Sequence, residues 1–170
     1  MISAKPQTRI DNLRARIIAA FSSVPRPSKE NIARHQCEKC EELRNVFGRL
    51  RWEAIEPEIL EKYYSKLSLF TPQAFRYFLP AYLLQSLEGF NDENIVCQFT
   101  IYSLAPIGEE DDAARKWWLE RIEEFTQEQK DVIAAFLRLA VINRKLRVYR
   151  EQAESGLKKN WSCVESKYEG

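Results

Sequence analysis

Residues 35–40 read HQCEKC, so His35, Cys37 and Cys40 stand in the spacing H-x-C-x-x-C. His35 is the single histidine of the chain, and the two cysteines are half of its four. Thiolates and imidazole are zinc ligands, and a structural zinc is held by four of them in a tetrahedron. This stretch supplies three, so the fourth has to come from Cys97, Cys163 or a carboxylate. The second chemistry open to C-x-x-C is thiol–disulfide exchange, whose thioredoxin-like pattern places it at a helix N-terminus behind a strand in a βαβ setting. No such setting surrounds these residues. The reading that requires least has one cysteine packing as a small hydrophobe, with His35 making hydrogen bonds near the start of a helix.

Other catalytic arrangements are missing from the sequence. Any Ser–His or Cys–His pair has only His35 to draw on, and no nucleophile elbow is present. Neither G-x-G-x-x-G nor G-x-x-x-x-G-K-[ST] occurs, so no nucleotide cradle is recognisable. The run Glu109-Glu110-Asp111-Asp112 lacks the ligand spacing of a calcium-binding loop. Arg144, Lys145, Arg147 and Arg150 are able to meet phosphates, but no nucleic-acid-reading motif accompanies them, and the net charge is only +1. The expectation is therefore a protein without enzymatic activity and without direct nucleic-acid binding.

The elements that position these residues are read as helices. The chain of 170 residues is 45% hydrophobic and 12% aromatic, with only 5 glycines and 7 prolines, which suits one helical domain. Ile10, Leu13, Ile17 and Phe21 form one stripe, with Thr8 as the expected N-cap. Pro25 and Pro27 stop that helix, and Ser28 is expected to cap a second one that carries Cys40, Leu43 and Phe47 on one face. Pro57 opens a third. Thr71 caps "PQAFRYFLPAYLLQSLE", with a kink or break expected at Pro80. Residues 94–104 fit either a helix through Ile95, Phe99 and Tyr102 or an alternating strand, and helix is chosen because no other strand is available to pair with it. "APIGEEDD" reads as a loop and "AARKWWLERIEEF" as a short helix. Thr126 caps the segment from Gln127 to Gln152, read as the longest helix. The expected architecture is all-α: a single compact domain of about six or seven helices over residues 1–158, followed by a polar tail over residues 159–170.

Charge is unevenly spread along this scaffold. Glu109 to Asp131 holds nine acids against four bases, whereas Arg138 to Lys159 holds seven bases against two acids. Such runs form either solvated helix faces or docking surfaces. "MISAKPQTRIDNLRARII" contains no signal-peptide core and no segment has transmembrane length, so the expected compartment is the cytoplasm, with no membrane partner.

Three blocks resemble a bacterial domain family of unknown function. They are an early H/C-x-x-C segment, a central F-x-T-P-x-x-F-x-Y-x-x-P and a late F-T-x-E-Q-x-x-x-x-x-x-F-L. The matching positions are His35, Cys37 and Cys40; then Phe70, Thr71, Pro72, Phe75, Tyr77 and Pro80; then Phe125, Thr126, Glu128, Gln129, Phe136 and Leu137. Members of that family place His directly before the first Cys, whereas Gln36 intervenes here. The resemblance implies a small cytosolic accessory protein and brings no activity with it. The functional expectation is a non-catalytic protein-binding module of the immunity-protein or antitoxin type, occluding a toxin or effector without a cofactor. Glu109, Glu110, Asp111, Asp112, Trp117, Arg144 and Arg147 are its candidate partner-binding residues. The alternative is a zinc-binding domain, structural or catalytic, built on His35, Cys37 and Cys40.

Overall fold

Capping chemistry and packing divide the described residues into eight α-helices. The computed structural model describes residues 6–105 and 112–161. Helix α1 spans Pro6–Phe21 and turns Leu13, Ile17 and Phe21 inward. It starts two residues before the expected cap at Thr8, with Pro6 in the first turn, where a missing amide is tolerated. Helix α2 spans Glu38–Phe47 and does bury Cys40, Leu43 and Phe47 together. It begins nine residues later than a cap at Ser28 implies, since Ser28 precedes only a single 3-10 turn, Lys29–Asn31. The cause is non-local. Ala33 bridges antiparallel to Phe70, with Arg34 N–H donating to the Leu69 carbonyl at 3.1 Å and Thr71 N–H to the Ile32 carbonyl at 3.1 Å. This pairing commits Ala33 to a bridge across the fold, so no helix runs through it.

Helix α3 (Pro57–Lys62) has Pro57 at its first position and passes through a 3-10 stretch, Tyr64–Leu69, into helix α4 (Pro72–Glu88). Helix α4 runs without interruption past Pro80, so the expected break does not occur. Proline removes one ladder bond. Here Phe78, Leu79, Ala81, Tyr82 and Leu83 are all buried around it, and tertiary packing of this kind outweighs a local loss. Helix α5 (Ile95–Leu104) settles the ambiguous stretch as helix, capped by the Asn94 side chain accepting from Cys97 N–H at 3.1 Å. Helix α6 is Asp112–Glu123. No strand forms among the described residues; the Ala33–Phe70 bridge stands alone.

Helix α7 (Gln127–Ile142) opens on a complete capping box with Thr126 and Gln129. It is not the longest helix, and it does not continue to Gln152. The chain leaves it at Asn143 and re-enters helix only at α8 (Arg150–Gly156). Side chains take the backbone groups in between. The Asn143 amide oxygen accepts from Lys145 N–H at 2.9 Å, and Asp92 accepts from Arg147 N–H at 2.9 Å and Val148 N–H at 3.4 Å. Offering the backbone partners of this kind is how Asn and Asp end helices. The chain then stays packed into the segment read as a tail: a π-helical turn, Leu157–Trp161, ends on a buried Trp161.

One core runs through the domain. Helix α4 is apolar on most sides and packs against α1, α3, α5 and α6, while α7 packs against α1 and α8. Phe47 is ringed edge-on by Tyr63, Phe70 and Phe78. Gln129, buried in this core, donates to the Ala20 carbonyl at 2.9 Å and accepts from Arg76 Nε at 2.9 Å, so one side chain links α1, α4 and α7. Gly156 lies where a Cβ would stand 2.2 Å from the Ala105 side chain, which explains a glycine at the close approach of α8 to the end of α5.

Two substitutions measure these elements. The Thr71 hydroxyl accepts from Ala74 N–H at 3.1 Å and donates to the Asn31 carbonyl at 2.5 Å, so Thr71→Ala is expected to cost about 1–2 kcal/mol. An unchanged urea midpoint would show that neither bond contributes. Phe136 is fully buried against Phe90, and Phe136→Ala is expected to cost about 3–5 kcal/mol by chemical denaturation.

Candidate functional site

The HQCEKC stretch is positioned by Arg44. Its buried guanidinium donates to the Ala33 carbonyl at 3.0 Å and to the His35 carbonyl at 2.6 Å, while Glu41 lies 3.3 Å away. The segment before α2 is thereby fixed in an exposed arc with His35 on its outer side. Cys37 is the N-cap of α2 and exposed; Cys40, one turn in, is fully buried. The Cys40 thiol, and after it the Cys40 amide, face the Cys37 sulfur and hold its pKa below the ordinary thiol value. Burial, then the hydrogen bond to Cys37, pushes the Cys40 thiol in the opposite direction. Burial also pushes the Cys97 thiol up to about 12. Among the described residues, no group of three or more His, Cys, Asp or Glu side chains gathers to hold a metal ion. The three proposed zinc ligands are adjacent in sequence without converging in space, and Cys163 lies outside the described residues.

The partner-binding candidates are dispersed. Glu109, Glu110 and Asp111 lie outside the described residues, and Asp112 is the first residue of α6. Trp117 is half-buried under the Arg34 guanidinium, which sits 3.7 Å from its ring centre. It is a stacked surface residue rather than a bare anchor. Its neighbour Trp118 is buried and donates to the Ser103 carbonyl at 3.2 Å. Arg144 and Arg147 are exposed on the connection between α7 and α8. Trp117 thus lies on α6, and the two arginines lie after α7.

Beneath Trp117 sits a buried cation. Arg121 lies 3.6 Å above the Phe75 ring and 5.9 Å from that of Trp117, and donates to the Leu67 carbonyl at 3.3 Å. Its Nε has no partner, and burial lowers its pKa to about 9. Aromatic faces and one carbonyl compensate this charge only in part.

The feature that sequence reading missed is a groove between α1 and α7 of about 540 Å³. Its floor is Leu13, Ala135, Leu139 and Ile142, the last 56% exposed, and its rim carries Arg9, Arg16 and Arg138. No acidic residue is among its described lining residues. Half the signal was present in the sequence: Arg9, Asn12 and Arg16 are spaced as one helical face, as are Arg138 and Ile142. That the two faces adjoin is a tertiary fact.

A helical domain with an arginine-rimmed apolar groove and no gathered catalytic or metal-binding cluster among its described residues is the class these features define. The chain belongs to a family of unknown function, DUF6714, whose model matches residues 9–163. No curated protein and no solved structure matches it. No helix among the described residues is long and apolar enough to cross a membrane.

Arg121 provides a test of the polar interior. Arg121→Met replaces a partly compensated cation with an apolar chain on the same aromatic faces, and is expected to leave the urea midpoint unchanged or raise it. A loss of more than about 3 kcal/mol would show that the guanidinium is fully paired.

Proposed function

We propose that the protein is a non-catalytic binding module whose α1/α7 groove holds an acidic amphipathic helix of a protein partner. The observation that carries this reading is the groove itself: an apolar floor ending on the exposed Ile142, with Arg9, Arg16 and Arg138 along its rim and no acid among its described lining residues. Laying the apolar face of a helix into such a groove is a recurring mode of recognition, with the floor supplying affinity and the rim selecting sign. Arg138 also opens the basic stretch that continues through Arg144 and Arg147, so the rim and the exposed connection after α7 carry the same charge. The mode of action is occlusion: the partner's helix, once seated, is withheld from its own target, as an immunity protein or antitoxin withholds a toxin or effector. No cofactor is required.

The test begins with a partner captured from the native host and purified, and then measures binding directly. Exposed charge governs association rate and salt dependence more than final affinity. Arg16→Glu with Arg138→Glu is expected to slow association about tenfold or more and to flatten its salt dependence. Reversal of Glu109, Glu110, Asp111 and Asp112 is expected to leave both unchanged. The opposite pattern would move the docking face to the acidic segment before α6. Turnover of a small molecule by the isolated protein, lost on His35→Ala, would overturn the non-catalytic reading.

A further inference from the structure

We propose that Cys37 and Cys40 form a dithiol that exchanges reversibly with disulfides, with Cys37 as the attacking sulfur and Cys40 as the resolving one. This inference is independent of the groove and of any partner seated there. Its basis is the placement of the two residues on α2. Cys37 is the N-cap, with extended backbone angles (φ −116, ψ 163), and is open to solvent. Cys40 is the third residue of the helix and fully buried. Glu38 and Lys39, between them, are helical, which sets the two Cα atoms about 5 Å apart. That lies inside the roughly 4.4–6.8 Å that a disulfide spans.

The asymmetry gives each sulfur a separate role. An incoming disulfide can reach Cys37 but not Cys40, so the first attack has one possible origin. Cys40 can reach Cys37 because its thiol already faces that sulfur. A thiolate at a helix N-terminus is also favoured by the amides and dipole of the first turn. Arg44 preserves the arrangement. By holding the Ala33 and His35 carbonyls it fixes the segment that leads into α2, whose residues 34–37 are exposed, Cys37 among them. Cys97 has neither exposure nor a cysteine neighbour in sequence, and serves as an internal control.

The exchange balances in two steps. The Cys37 thiolate attacks one sulfur of a disulfide R–S–S–R, forming a Cys37–S–S–R mixed disulfide and releasing RS⁻, which takes up the proton Cys37 had lost. Cys40 then gives its proton to water, its sulfur attacks Cys37 Sγ, and the second RS⁻ departs and is protonated. Two protein thiols are oxidised to one disulfide and the incoming disulfide is reduced to two thiols. The reverse sequence, with a thiol as reductant, restores the dithiol.

The test uses the full chain carrying Cys163→Ser, incubated in glutathione and glutathione disulfide at fixed ratios, then alkylated and weighed by mass spectrometry. The expected result is paired loss of the Cys37 and Cys40 thiols with Cys97 retained. In the same background Cys40→Ser should accumulate one glutathione on Cys37, and Cys37→Ser should take up none; Cys40→Ala replaces Cys40→Ser if the latter fails to fold. Glutathione on Cys40 or Cys97 would overturn the proposal. So would a mixed disulfide that persists on Cys37 with Cys40 present, or full alkylation of all three thiols under oxidising ratios. Stoichiometric zinc in the native chain, shielding Cys37 and Cys40 from glutathione disulfide until chelated, would overturn it in favour of a metal site.

Discussion

The domain depends on the side chain of Gln129. Its amide oxygen accepts from Thr126 N–H at 3.1 Å and from Arg76 Nε at 2.9 Å, while its nitrogen donates to the Ala20 carbonyl at 2.9 Å. One residue thus starts α7, ends α1 and ties both to α4. Glutamate in its place would keep the two acceptances but turn an oxygen toward the Ala20 carbonyl. Buried polar groups are costly unless every member of a network is satisfied, so this junction admits few arrangements. The α1/α7 groove forms on the same pair of helices.

A second set of polar interactions closes the far end of α5. A helix leaves its last carbonyls without partners. Here Trp118 donates to the Ser103 carbonyl, Trp161 to that of Leu104 at 2.9 Å and Gln152 to that of Ala105 at 2.7 Å. The two indoles meet edge to face with ring centres 6.0 Å apart. Tryptophan brings large apolar area with one donor at its edge, and both properties are used at this helix end. Arg121 shows the contrast. Its charge is buried with one carbonyl and two rings for company, and its interior position owes more to packing than to pairing.

What could be read from the sequence divides along the same line. The helix starts at Thr71 and Thr126 were legible because a cap is chemistry within four residues. The helical class and a core on α4 and α7 followed from spacing alone. The late start of α2 was not legible, since it depends on Ala33 meeting Phe70 across the fold. Nor was the end of α7 at Asn143, where Asp92 supplies partners from another part of the chain. At Pro80 the helix did not end, because the burial around it outweighs the lost ladder bond. The sequence marked Cys37 and Cys40 as the residues with chemistry, but their unequal exposure appears only once α2 is placed. The groove required two helices, read separately, to become neighbours.

The pairing of α1 with α7 has a consequence for the ribosome. Helix α1 ends at Phe21, its partner α4 spans Pro72–Glu88 and its other partner α7 begins only at Gln127, so the side of α1 that meets α7 stays open until the intervening chain has been made. At synthesis rates of about 5–20 residues per second, that interval is roughly 5–20 s. Throughout it Leu13 lacks the α7 residues beside which it finally lies, next to Arg9 and Arg16 that later line the rim. A nascent chain in this condition is a substrate for chaperones that take hold of apolar segments flanked by positive charge. The order of translation, rather than the stability of the finished domain, sets how long that exposure lasts.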